Sequence, residues 1–134
     1  MKLEEIKNIV LIDDDEATNF INKEIIRSIN ESWIIKEINS SFDGIEYLIG
    51  EYSTLKNGTI IFLDLNLPGY DGWGILNQVQ KSLLTKQKND GVKLFILTSS
   101  KNPSEFTKSK NYWILDGIIS KPLTPEKILR KVII

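Results

Sequence analysis

The sequence predicts an α/β fold with a doubly wound, five-stranded, mostly parallel sheet and five helices. Two observations carry this. First, three short runs, 7–13 (KNIVLID), 59–65 (TIIFLDL) and 92–100 (VKLFILTSS), are rich in β-branched residues and have few polar interruptions. That is the pattern of strands buried on both faces. Second, segments with apolar residues at helical spacing separate the runs. Each crossover therefore carries a helix, and successive strands run parallel.

The elements follow in order along the chain. After the strand at 7–13, Phe20, Ile21, Ile25, Ile26 and Ile29 recur at helical spacing and predict an amphipathic helix over 17–29. Residues 33–39 (WIIKEIN) alternate more, which predicts a more exposed strand. A short helix follows over 43–52, with Asp43 as its N-cap. Beyond the strand at 59–65, Pro68-Gly69 marks a turn and a helix spans 72–84. Gly74 weakens its first turn by about 1 kcal/mol relative to alanine. The polar stretch 85–91 is a surface loop before the strand at 92–100. Asn102, Pro103 and Glu105 stand as cap, first-turn proline and N3 acid of a helix over roughly 103–110. Residues 116–121 form the last strand, and Thr124 and Pro125 start an amphipathic helix over 126–133. No repeat, low-complexity segment or linker interrupts this series. With only residues 122–134 beyond Lys121, a single domain over 1–134 without an output domain is expected.

Composition narrows the chemistry. The chain has 134 residues, 41% apolar and 26% charged, with a formal net charge of −1. That balance gives no reason to expect nucleic acid or an anionic membrane as partner. The apolar runs are too short to span a bilayer, and the N-terminus lacks the regions of a signal peptide, so a cytoplasmic protein is expected. There are no cysteines and no histidines. Disulfides, thiolate nucleophiles, zinc–cysteine sites, histidine-ligated metals and serine–histidine triads are thereby excluded. Chemistry on this chain must use carboxylates, hydroxyls, amides and lysines, and any metal should be a hard cation bound by oxygen.

In open parallel α/β sheets, ligands bind outside the carboxyl ends of the strands. The first predicted strand ends in Asp13-Asp14 and the third in Asp64, followed by Leu65-Asn66-Leu67-Pro68-Gly69. The fourth ends in Thr98-Ser99-Ser100 and the fifth in Lys121-Pro122. Each has an ordinary explanation alone: acids after a strand cap the next helix, strand-end hydroxyls bond backbone, and loop lysines are solvated. Asp15 and Glu16 keep that role, helping the first helix start. Together, three carboxylates at one rim raise one another's pKa or demand a cation. With oxygen ligands only, Mg²⁺ fits. Lys121 and Thr98 would supply a positive charge and a hydrogen bond for an anion. An acidic metal nest beside a lysine and a hydroxyl is a site for phosphoryl transfer. Its acceptor must be a carboxylate, and Asp64 is central.

The segments VLIDDDE, IIFLDLNLPGYDGW, LFILTSS and DGIISKPLTPEKI together resemble the receiver domain of bacterial two-component response regulators, over roughly 7–133. The resemblance implies a flavodoxin-like sheet of order 2-1-3-4-5. It implies that Asp64 is the phosphoacceptor, and that Asp14, supported by Asp13, is the metal carboxylate. It further implies the Asn66 backbone carbonyl as another Mg²⁺ ligand, Thr98 as the switch hydroxyl and Lys121 as the ion-pair partner of Asp64, before a proline whose preceding bond is often cis. The donor would be a sensor histidine kinase or a phosphotransfer protein. The added charge would repack the surface of the fourth helix, fifth strand and fifth helix, and a downstream protein target would read it. Asn66 and Ser100 flank the phosphate approach and should influence dephosphorylation. The chain would catalyse only its own phosphorylation and dephosphorylation and is not otherwise an enzyme.

One position departs from the family pattern. Ile118 stands three before Lys121, where an aromatic residue is usual, so the switch must work without a rotating ring. Two rival readings remain. A haloacid-dehalogenase-type phosphohydrolase uses a similar residue set, but a second aspartate usually stands where this chain has Asn66, and a cap domain is missing. A receiver-like interaction module that is never phosphorylated is the other, against which the full set of Asp14, Asp64, Thr98 and Lys121 argues.

Overall fold

The computed structural model describes residues 1–83 and 87–132. The end of the third predicted helix (84), the start of the loop after it (85 and 86) and the last residue of the final helix (133) lie outside the described residues. The chain alternates β1 (Asn8–Ile12), α1 (Glu16–Ile29), β2 (Ile34–Ile38), α2 (Ser41–Glu51), β3 (Thr59–Asp64), α3 (Gly72–Ser82), β4 (Val92–Thr98), α4 (Pro103–Ser109), β5 (Gly117–Ser120) and α5 (Pro125–Val132). The strands form one sheet of order β2-β1-β3-β4-β5, every pair parallel. This is the doubly wound, flavodoxin-like architecture expected. Among the described residues, no helix is long and apolar enough to cross a membrane.

Alternation along the inner strands builds two cores. Val10, Ile12, Ile61, Leu63, Leu94 and Ile96 face α2 and α3, where Leu48, Ile75, Leu76 and Val79 meet them. Ile9, Leu11, Ile60, Phe62, Phe95 and Leu97 face the other way, toward Ile26 of α1 and Ile128 and Val132 of α5. Full burial of each such side chain contributes about 1.5–3 kcal/mol. β3 is buried throughout, and β2, an edge strand, is mostly exposed, as its alternation implied.

Register sets the functional rim. Ile12 lies opposite Leu63, so Asp13 and Asp64 leave their strands side by side. Asp64 lies opposite Leu97, and Thr98 opposite Ser120, which brings Lys121 to the same level. β4 and β5 are shorter than the runs 92–100 and 116–121, because pairing stops where the chain turns into this rim.

Two local expectations are corrected. In α1 the residues turned to the sheet are Asn19, Asn22 and Ile26, whereas Phe20 and Ile21 are 63% and 56% exposed. The Asn19 amide donates to the Asp13 carbonyl at 3.0 Å, and this buried bond fixes the rotation of the helix. In α2 the N-cap is Ser40, whose hydroxyl accepts from the Asp43 N–H at 3.1 Å, so Asp43 sits in the first turn. The caps expected further on are present. Asn102 accepts from Ser104 N–H with Pro103 at the start of α4, and Thr124 accepts from Lys127 N–H at 3.2 Å. α4 buries none of its residues. It leans on α3 through Lys108, whose ammonium sits 5.1 Å above the Trp73 ring, itself stacked on Tyr112 at 5.4 Å.

Candidate functional site

The turns after β1 and β3 place three acids together. Asp13, Asp14 and Asp64 each offer a carboxylate oxygen within 4.8 Å of the others. Asp13 and Asp64 are both 4% exposed, and Asp14 is open to solvent. Asp15, next in the chain, is instead the N-cap of α1 and accepts from Ala17 N–H. The Thr18 hydroxyl, at 2.7 Å, and that N–H hold its carboxyl below the usual carboxylate value. The four adjacent acids thus divide into a site and a helix start.

Asp64 is fixed from two sides. Lys121 Nζ lies 2.7 Å from its Oδ1, and the Asn66 N–H donates to the same oxygen at 3.2 Å. The loop beyond it is shaped by Gly69, at φ +85°, and by the Ser41 hydroxyl, which donates to the Pro68 carbonyl at 3.0 Å. Gly72 starts α3 so close beneath that a Cβ there would stand 3.1 Å from Leu65 Cα and 3.3 Å from the Asp64 carbonyl oxygen. Lys121 is placed by its own backbone, whose N–H donates to the Thr98 carbonyl at 2.8 Å, and the Lys121–Pro122 peptide that follows is cis.

Asp13 shows the strain of the arrangement. One carboxylate oxygen accepts from Asp15 N–H at 3.0 Å, while Oδ2 is buried without a hydrogen-bond partner. Burial, chiefly, raises its pKa from 3.8 to about 6; the Asp15 N–H opposes this, Asp64 adds to it, Lys121 opposes it and Asp14 adds to it. A buried, unpartnered carboxylate oxygen beside two further carboxylates fits a divalent cation with oxygen preference.

Thr98 ends β4 at 2% exposed. Its hydroxyl accepts from Ser100 N–H at 3.0 Å and donates to Glu105 Oε1 at 3.4 Å. Ser100 is exposed, and its hydroxyl accepts from Asn102 N–H, so that side chain serves the loop. The structure therefore brings together Asp13, Asp14, Asp64 and Lys121, with Thr98 on the adjoining strand and Asn66 next in the loop. Sequence reasoning missed two residues around them. Asn19 pins the Asp13 backbone, and its presence with Asn22 inside an apolar stretch, three apart, was the available signal. Glu105 was read as a helix-start acid, and nothing local in the sequence marks its reach to Thr98.

Comparison with known proteins bears on the family and the fold. Residues 9–133 match the family described as response regulator receiver domain. No curated protein matches the chain. Among solved structures, a two component response regulator from Cytophaga hutchinsonii is 29% identical with a TM-score of 0.79, covering 94% of this chain and 93% of that one. A receiver domain protein (CheY-like) from Methanospirillum hungatei is 24% identical, TM-score 0.69, covering 95% and 90%. The bacteriophytochrome response regulator RtBRR is 23% identical, TM-score 0.71, covering 95% and 76%. The last two are similar in fold.

Proposed function

The chain belongs to the response regulator receiver domain family of two-component signalling, and we propose that it acts as a cytoplasmic receiver phosphorylated on Asp64 with Mg²⁺. The family is a signalling module, not a true enzyme. Its members bind Mg²⁺ at an acidic pocket and interact with histidine kinases or phosphotransfer proteins and with downstream targets.

One observation carries the reading: a buried Asp64, ion-paired to Lys121 at 2.7 Å, within reach of two further carboxylates. A carboxylate oxygen of Asp64 forms the new P–O bond as the donor's P–N bond breaks, the electron pair leaving with the donor's imidazole. No group on this chain needs to give or take a proton for that step, so its own part is positioning and charge neutralisation. Asp13, Asp14, Asp64 and the Asn66 carbonyl would hold Mg²⁺, which when bound neutralises charge on the transferred oxygens. Asn66 N–H and Lys121 orient Asp64, and Lys121 offsets the charge it gains. The buried rim excludes water from Asp64 on the strand side. The Thr98 hydroxyl then donates to the new phosphoryl oxygens, and a downstream protein reads the change.

Intact mass after incubation with a small acyl phosphate tests this. A gain of one phosphoryl group that requires Mg²⁺ and vanishes in Asp64→Asn is the expected result. No gain in the wild type under any Mg²⁺ concentration would favour a receiver-like interaction module instead.

A further inference from the structure

Thr98 and Glu105 form a connection that the site itself does not require. Glu105 is the third residue of α4, its backbone N–H bonded to the Asn102 carbonyl at 3.1 Å. Its side chain is half-buried and reaches back across the loop to the Thr98 hydroxyl at 3.4 Å. Among the described residues this is the one hydrogen bond from α4 to the sheet. The helix buries none of its seven residues, so little else holds its first turn in place.

A threonine hydroxyl has one proton to donate. In this structure that proton goes to Glu105, while a hydroxyl lone pair takes the Ser100 N–H. A phosphoryl group on Asp64 would be a second acceptor for the same proton, and the hydroxyl cannot serve both. The bond to Glu105 is long, so exchange is cheap. The usual alternative relay is absent: Ile118 is a half-buried aliphatic residue with no ring to rotate, packed against the core on the α2–α3 side of the sheet.

We propose that Glu105 is a positioning residue that keeps the Thr98 hydroxyl turned toward α4 until a phosphoryl group on Asp64 accepts it instead, and that losing this bond frees the first turn of α4. The inference rests on the phosphoacceptor reading of Asp64. It makes one side-chain choice both the sensor of the phosphoryl group and the release of the helix.

The test is a double-mutant cycle read by calorimetric titration with beryllofluoride, a phosphoryl mimic, in the presence of Mg²⁺. In Glu105→Ala the hydroxyl has no competing acceptor, and the apparent affinity should tighten about two-fold, the weight of a hydrogen bond at the weak end of the range. In a Thr98→Val background, which lacks the hydroxyl, the same Glu105→Ala change should tighten nothing. Glu105→Gln, which keeps an acceptor without the charge, should fall between. An equal gain in both backgrounds would overturn the proposal, since Glu105 would then act through charge or helix stability. No gain where Thr98 is retained would overturn it too. Failure of the wild type to bind beryllofluoride with Mg²⁺ would overturn the phosphoacceptor reading first, before any variant is compared.

Discussion

Burial of Asp13 pushes its carboxyl from 3.8 up to about 6, and the nearby Asp64 and Asp14 add to the effect of removing it from water. Across that window the folded, metal-free protein still holds a proton that the unfolded chain has released. The folded state then binds more protons, so this group's contribution to stability is present at low pH and lost as pH rises from about 4 to about 6. In Asp13→Asn that part of the slope should vanish, and the chelator-treated variant should be more stable than wild type near neutral pH. Urea melts at about pH 4.5 and about pH 7 would show it. Mg²⁺ and the proton compete for the same oxygens, so Mg²⁺ affinity should fall as pH drops below about 6. Asp13, Asp64 and Thr98 were legible in the sequence, because each ends an apolar run that reads as a buried strand, whereas Lys121 follows a shorter, more polar run. Glu105 was not: its partner is set by how a loop closes, and the local pattern accounts for the residue fully as a helix-start acid.

Among the elements, the loop from β3 to α3 is the one whose backbone requirements bear on the rim. Gly69 at φ +85° adopts a conformation that costs other residues roughly 1–2 kcal/mol, and a Cβ there would stand 3.0 Å from Ser41 Oγ. Gly69→Ala should lower stability by about that amount, readable as a shifted denaturation midpoint. The helices show where periodicity stops being informative. In α1, five apolar residues span more than one face, and their spacing alone cannot say which edge of that arc meets the sheet. The Asn19 bond to the Asp13 carbonyl decides it, leaving Phe20 and Ile21 outside. In α2, Ser40 and Asp43 are both good caps three residues apart, and the N–H of the second bonds the hydroxyl of the first. Both outcomes rest on hydrogen bonds that a hydrophobic pattern does not contain.

At the scale of the whole molecule, the sheet divides two cores that meet only through its strands. Phe62 fills the α1–α5 side of the central strand, with its ring centroid 6.3 Å from that of Phe95. Truncation there leaves a cavity that the neighbouring strands cannot close. Phe62→Ala should cost about 3–5 kcal/mol in a two-state urea melt. That the strands run parallel was legible from the helical crossovers. Their order was not, since hydrophobic runs carry no label for their neighbours, and it came from the family resemblance. A last consequence follows from how α4 rests on α3. Trp73 lies flat on Tyr112 beneath the Lys108 ammonium, whereas Trp33 is sealed in the opposite core and Trp113 stands edge-on to Tyr52. An indole's emission responds to a cation placed over its face, so the protein has its own optical gauge of α4. With the other two tryptophans replaced by phenylalanine, light from one residue would follow that helix as it moves, with no dye attached.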